Sequence, residues 1–270
     1  MARAAPLIAV DFDDVLVATN HAAAQCQLGF SLPPSWASAL PHGTKANRPA
    51  GLPIAGHNRE YGTKMALEDF LYYHWWKNPY WGPMKETVSK VLRFYTADEY
   101  KQAPPVLDAP RICKQLKAMG YRLVIVTARS DEHRKITEDA INKYFPGVFD
   151  GLEFTASIGG RGTSQLTKPQ MLKQLGASML IDDSLDNCID CAKAGIPVLL
   201  FGDYEWNKRR SGISAGVESM GFDEREKVEG IGRRWWARDD VPDEKLSPLV
   251  RRVRGWDDVL RAVRETPSSP

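Results

Sequence analysis

Four apolar runs punctuate the chain without polar alternation: PLIAV ahead of Asp11, YRLVIV ahead of Thr127, SMLI ahead of Asp182 and IPVLLF ahead of Gly202. Continuous runs of this length suit strands covered on both faces of a parallel sheet, where no face meets water and alternation is lost. Between them lie amphipathic stretches closed by glycine or proline. These are Ala109 to Met119 before Gly120, Asp131 to Tyr144 before Pro146-Gly147, Lys168 to Leu175 before Gly176, and Leu185 to Ala194 before Gly195. Strand, helix and stop repeated in this order predict a doubly wound, Rossmann-like parallel α/β core. Leu152 to Ala156 reads as a further strand and Gly255 to Val263 as a closing helix, followed by a TPSSP tail expected to be disordered.

Two regions break this rhythm. Residues 21–105 carry helical patterning and no convincing strand, which predicts an inserted α-helical cap module, with residues 1–20 and 106–270 forming the core. Within the module, Leu32 to Gly62 is rich in Pro, Gly and Ala and reads as loop. Lys64 to Trp76 and Met84 to Tyr95 read as helices, and Pro104-Pro105 marks the return to the core. The second break, residues 204–249, is a polar insertion within the core.

Composition narrows the class. With 43% hydrophobic and 26% charged residues among 270, and a mean hydropathy of -0.38, the chain is an ordinary globular protein. No apolar run approaches the roughly 20 residues of a membrane span, and Pro6 to Val10 is too short for a signal-peptide core, so a cytoplasmic protein without a membrane partner is expected. A net charge of +2 is too small to argue for a nucleic-acid partner. Cys188 and Cys191 have Cx2C spacing, but Cys26 and Cys113 supply no second pair for zinc, so small residues on one buried helix face are the better reading. Nothing in the sequence sets the oligomeric state.

The candidate chemistry lies at the strand ends. In a parallel sheet, ligands gather where the strands finish, and Asp11, Thr127 and Asp182-Asp183 each follow an apolar run immediately. Carboxylates brought together from two strands repel unless a cation neutralises them. Hard oxygen ligands without His or Cys favour Mg2+. Such a cation attracts phosphate, to which Thr127 can offer its hydroxyl and the backbone N–H groups near it.

Asp11-Phe12-Asp13, Thr127, Lys168 and Asp182-Asp183, in this order and after these strands, resemble the four motifs of the haloacid dehalogenase (HAD) superfamily of phosphohydrolases. The resemblance covers about residues 6 to 30 and 106 to 203. It implies that Asp11 is the nucleophile and a metal ligand. Asp13 would protonate the leaving oxygen, activate water and lend its backbone carbonyl to the metal. Thr127 and the backbone of Ala128 would bind the phosphoryl group, and Lys168 would offset its charge. Asp183 would ligate Mg2+, with Asp182 beside it as a ligand or a support, and Asp14 would only shape the turn or cap a helix. The arrangement looks most like the 5'(3')-deoxyribonucleotidase-type branch, which has a helical cap, the stretch IDDSLDN and a pair like Trp206-Asn207. The Pro/Gly-rich stretch before Lys64 and the insertion after Asn207 depart from it.

Blander readings stand beside these. Arg129 either reaches substrate or pairs with a neighbouring acid. Asp186 and Asn187 either orient the metal shell or begin a capped helix. The aromatic stretch FLYYHWW, with Tyr73 and Trp76 as possible substrate residues, either stacks on a nucleobase or forms the core of the module, and His74 reads as a packed side chain. The expected function is a Mg2+-dependent phosphomonoester hydrolase acting on a small phosphorylated metabolite, a nucleoside monophosphate foremost. The alternatives are a non-catalytic binding protein using Arg233-Arg234-Trp235-Trp236, and a phosphatase for nucleic-acid ends, which would require a basic groove.

Overall fold

The structure, a computed structural model, describes residues 5–20, 56–155, 166–212 and 216–266. Six strands form one sheet: β1 Leu7–Val10, β2 Arg122–Thr127, β3 Gly151–Phe154, β4 Met179–Asp182, β5 Val198–Phe201 and β6 Val250–Val253, in the order β3-β2-β1-β4-β5-β6. Every neighbouring pair is parallel. The predicted doubly wound α/β core is therefore present, and the four apolar runs form β1, β2, β4 and β5. The strand order reverses between β1 and β4, and that switch point opens a crevice beyond their carboxyl ends. Asp11 donates its N–H to the Ile181 carbonyl at 2.8 Å, so the sheet ladder continues one residue past β1 and sets Asp11 beside the end of β4.

Nine helices accompany the sheet among the described residues: α1 Gly56–Tyr61, α2 Met84–Thr96, α3 Asp98–Lys101, α4 Ala109–Ala118, α5 Arg134–Tyr144, α6 Lys168–Leu175, α7 Leu185–Lys193, α8 Phe222–Glu229 and α9 Trp256–Glu265. Alternate strand residues serve opposite faces. Ile8, Val10, Leu123 and Ile125 pack with Ile112 and Leu116 of α4 and Val259 and Val263 of α9. Leu7, Ala9, Val124 and Val126 pack with Met171 and Leu172 of α6 and Leu185, Cys188 and Cys191 of α7. Both cysteines of the Cx2C are buried on this face. No described helix is long and apolar enough to cross a membrane.

The inserted region differs from expectation in two places. Of the stretch read as loop, Gly56–Tyr61 is helical, and residues 32–55 lie outside the described residues. Lys64 to Trp76 is not a helix but two 3-10 turns, Leu67–Asp69 and Trp75–Lys77. The cause is the aromatic run itself, whose members pack in different directions. Phe70 and Trp75 join Met65, Trp81 and Trp206, whereas Leu71 and Tyr72 join Phe222 and Trp235 of the polar insertion. The Asn78 side chain fixes the break by accepting the Tyr72 N–H at 2.7 Å and donating to the Tyr72 carbonyl at 2.9 Å. It does locally what helix hydrogen bonds would otherwise do. The strand β6 was not anticipated: VRRV carries two arginines, and as an edge strand it is buried fully only at Val253.

Candidate active site

The turn after β1 is built by its own backbone. The Leu16 and Val17 N–H groups both donate to the Phe12 carbonyl, and the Asp14 N–H donates to the Val17 carbonyl. Asp14 takes the left-handed conformation, at φ 56, that this tight return requires. Its side chain accepts the Asn20 N–H at 2.9 Å, the capping role the sequence allowed it. The turn is tied to the returning chain where Ala18 donates to the Pro104 carbonyl and Val106 to the Leu16 carbonyl.

At the end of β1, Asp11 is buried. Its Oδ1 accepts the Phe12 N–H at 2.8 Å and lies 2.9 Å from Lys168 Nζ. Lys168, the first residue of α6, is only 4% exposed, and it also donates to Asp182 Oδ2 at 2.5 Å. A lone buried ammonium would be costly, and the two carboxylates hold Lys168 charged, its pKa raised despite burial. Removing one partner of such a buried set typically costs about 3–5 kcal/mol. Burial first, against the pull of Lys168 and with the charges of Asp182 and Asp13 adding to it, leaves the Asp11 carboxyl pushed up to about 7.

Asp182 and Asp183, adjacent in sequence, are bonded quite differently. Asp182 spends its lone pairs on protein donors: Lys168, the Ser184 N–H at 2.8 Å and the Asn187 amide at 3.3 Å. Asp183 takes a single hydrogen bond, from Trp206 Nε1 to Oδ2 at 2.7 Å, and its buried Oδ1 has no partner among the described residues. Burial, then the charges of Asp11, Asp14 and Asp182, raise the Asp183 pKa well above the usual carboxylate range. Oxygen atoms of Asp11, Asp182 and Asp183 all lie within 4.8 Å of one another. An orphaned carboxylate oxygen inside an all-oxygen donor set fits a hard divalent cation, with Asp183 and Asp11 as side-chain ligands and Asp182 as the support of Lys168.

Thr127, at the end of β2, is 1% exposed. Its Oγ1 accepts the Arg129 N–H at 3.2 Å, and no acceptor among the described residues takes its own proton. Ala128 follows directly and is half-buried. Asp13 lies across from them. Its Oδ1 accepts the Thr19 hydroxyl and Arg129 Nη2 (2.7 Å), and its Oδ2 accepts Arg129 Nε (2.9 Å). Of the two roles open to Arg129, the structure displays the ion pair, which holds the Asp13 carboxyl below its usual range against the push of burial.

Tyr73 lies near enough to the carboxylates to feel their charge. Burial first, and then Asp11, Asp183, Asp182 and Asp13, raise its phenol well above its ordinary pKa, while its N–H donates to Ser211 Oγ at 2.7 Å. Next to it, Trp76 stacks on His74 with ring centroids 4.5 Å apart, and His74 in turn lies 5.9 Å from the Tyr73 ring. Asp186 accepts from Arg210 Nε and the Ser211 N–H, both at 2.7 Å, and so anchors the polar insertion. Asn187 supports Asp182. Trp206, Thr19 and Ser184 hold the site together and had no assigned role from sequence. Only the Trp206-Asn207 pair carried a signal, and its Asn207 ties the loop back to the Phe201 and Gly202 carbonyls.

No family model matches the sequence, and no curated protein matches it. Solved structures do resemble it. A HAD family hydrolase from Deinococcus radiodurans R1, with bound phosphate and sodium, aligns at TM-score 0.52 and 15% identity, covering 97% of this chain and 96% of the other. A predicted phosphatase from Clostridium acetobutylicum aligns at TM-score 0.48 and 11% identity over 97% and 100% of the two chains. The L-2-haloacid dehalogenase from Xanthobacter autotrophicus aligns at 0.45 and 12% over 97% and 99%. At these identities the likeness is one of fold, and it is the first of these alignments that carries it: the parallel sheet and its flanking helices form a HAD-like α/β core.

Proposed function

We propose that the chain is a Mg2+-dependent phosphomonoester hydrolase that works through a phosphorylated Asp11. The observation that carries this reading is the Asp11–Lys168–Asp182 ion cluster beside the orphaned Asp183 Oδ1, at the switch point of the sheet. Asp11 Oδ1 is engaged by Lys168 and the Phe12 N–H, which leaves Oδ2 to form the bond to phosphorus as the bond to the leaving oxygen breaks. Asp13, ionised at rest beside Arg129, takes up a proton from solvent before turnover and gives it to that oxygen as its bond to phosphorus breaks; it then takes a proton from the water that attacks the aspartyl-phosphate, which releases inorganic phosphate and restores the acid form. Thr127 and the backbone at Ala128 bind the phosphoryl oxygens, and Lys168 offsets the charge gathered at Asp11. Asp11, Asp183 and the Asp13 backbone carbonyl would hold a divalent cation, which would supply charge neutralisation for the phosphoryl group.

Residues 21–105 act as the cap over a core formed by residues 1–20 and 106–270. The preferred substrate is a small phosphorylated metabolite, a nucleoside monophosphate foremost. The supporting features are the Tyr73 ring beside the carboxylates and the His74–Trp76 stack next to it, both suited to a planar base. The test is phosphate release from a panel of nucleoside monophosphates and sugar phosphates, with and without Mg2+. Asp11→Asn should abolish release from every substrate, and release that survives it undiminished would sink the mechanism.

A further inference from the structure

The Asp13 carboxylate is held by a buried arginine whose described polar contacts all run to the protein itself. An ionised carboxylate offers about four acceptor positions, two on each oxygen. On Asp13, among the described residues, Oδ1 takes both the Thr19 hydroxyl and Arg129 Nη2 (2.7 Å), whereas Oδ2 takes only Arg129 Nε (2.9 Å). One position, on Oδ2, is left. The guanidinium that sets this pattern is itself fixed on every side. Arg129 Nη1 donates to Thr137 Oγ1 at 3.0 Å, and the group lies between the Phe12 ring (4.4 Å to its centroid) and the Tyr100 ring (4.7 Å). Its side chain is 5% exposed, against 29% for that of Asp13.

We propose that Arg129 is a positioning residue for Asp13: the two-pronged ion pair fixes the carboxylate so that Oδ2 alone meets the reacting groups. The proposal rests on the hydrolase reading above. It assigns Arg129 no contact with substrate. The planar fork is what allows one side chain to fix both oxygens, and a lysine at this position would hold only one. Thr19, just past the turn after β1, and Thr137, from α5, complete the clamp, so elements on either side of the crevice converge on one carboxylate.

A double-mutant cycle tests this, reading steady-state hydrolysis of a phosphomonoester at saturating Mg2+. Asp13→Asn should lower kcat by about 10²- to 10⁴-fold, as the loss of a general acid–base does. Arg129→Gln should lower kcat by about 10- to 100-fold with KM little changed, the effect of displacing a reacting group by about 1 Å. Combined, the two should be no slower than Asp13→Asn alone, because Arg129 acts only through Asp13. Arg129→Lys should recover only part of the loss. Losses that multiply in the double variant, an Arg129→Gln enzyme that binds substrate poorly at unchanged kcat, or one with wild-type kcat and KM would each overturn the proposal while leaving the hydrolase reading intact. If Arg129→Gln does not fold, Thr137→Val replaces it in the cycle. A several-fold fall in kcat that disappears beside Asp13→Asn supports the proposal, and wild-type kcat overturns it. A wild-type protein that hydrolyses no phosphomonoester overturns both.

Discussion

At the scale of single residues, the two neighbouring acids Asp182 and Asp183 separate cleanly. Asp182 is saturated by Lys168, Ser184 and Asn187, whereas Asp183 has only Trp206 among the described residues. Trp206→Phe should therefore weaken Mg2+ binding by about 10- to 100-fold, the usual effect of losing a partner that orients a metal ligand. The measurement is the Mg2+ concentration needed to raise the melting temperature, which requires no turnover. Lys168→Met should lower kcat by about 10²- to 10³-fold, and the same melting experiment should show a loss of stability, because Asp11 and Asp182 are left buried without their shared cation. The sequence made Asp11, Thr127, Lys168 and the acid pair legible because strand ends and a helix start position them. Trp206 and Thr19 could not be reached that way. Trp206 sits in a 3-10 turn and Thr19 at the start of a helical stretch, both on paths set by tertiary contacts, and no periodicity reports where such a side chain points.

At the scale of elements, α1 shows how a short helix is held when its sequence reads as loop. The His57 Nδ1 lies 2.9 Å from Thr63 Oγ1, whose own proton goes to Asn58 Oδ1, so Nδ1 carries the hydrogen. Nε2 is buried without a partner among the described residues, and the ring packs against Tyr61 and Trp81. Burial, helped by Lys90, lowers the His57 pKa to about 4. Below pH 6.5 the unfolded chain takes up this proton while the folded chain does not, so stability contributed here falls as the pH drops from 6.5 to about 4. Denaturant unfolding at several pH values should give His57→Gln a shallower decline than wild type, and parallel declines would contradict the assignment. Elements with regular periodicity were legible, α4, α6 and α7 within a residue and α5 after a first turn, Asp131–His133, that is 3-10 rather than α. The stretch from Lys64 to Trp76 was not, because consecutive aromatics that serve two separate clusters abandon any single face.

At the scale of the whole molecule, the polar insertion is not a free loop but a brace against the inserted helical region. Tyr72 Oη donates to Asp239 Oδ2 at 2.5 Å, and Asp239 also pairs with Arg225 at 2.8 Å. Arg209 donates to the Leu71 carbonyl at 2.6 Å and pairs with Asp240 at 2.7 Å, and Lys77 donates to the Gly212 carbonyl at 2.5 Å. Such long-range polar pairing leaves no trace in hydrophobic patterning, which explains why the segment reads as an undifferentiated polar stretch. Tyr72→Phe leaves part of this buried network unsatisfied and should lower unfolding free energy by about 1–3 kcal/mol, with the denaturant midpoint as the readout. Because the same brace carries Ser211, which holds the backbone of Tyr73 near the carboxylates, weakening it should also raise KM for the preferred substrate.

The central claim is that Asp11 carries the phosphoryl group during turnover. Acid quenching of the enzyme with substrate and Mg2+, followed by proteolysis and mass spectrometry, tests it most directly. The account predicts one phosphoryl adduct on the peptide containing Asp11, forming within the first turnover and missing in Asp11→Asn. Full hydrolytic activity with that peptide unmodified at every time point would contradict it.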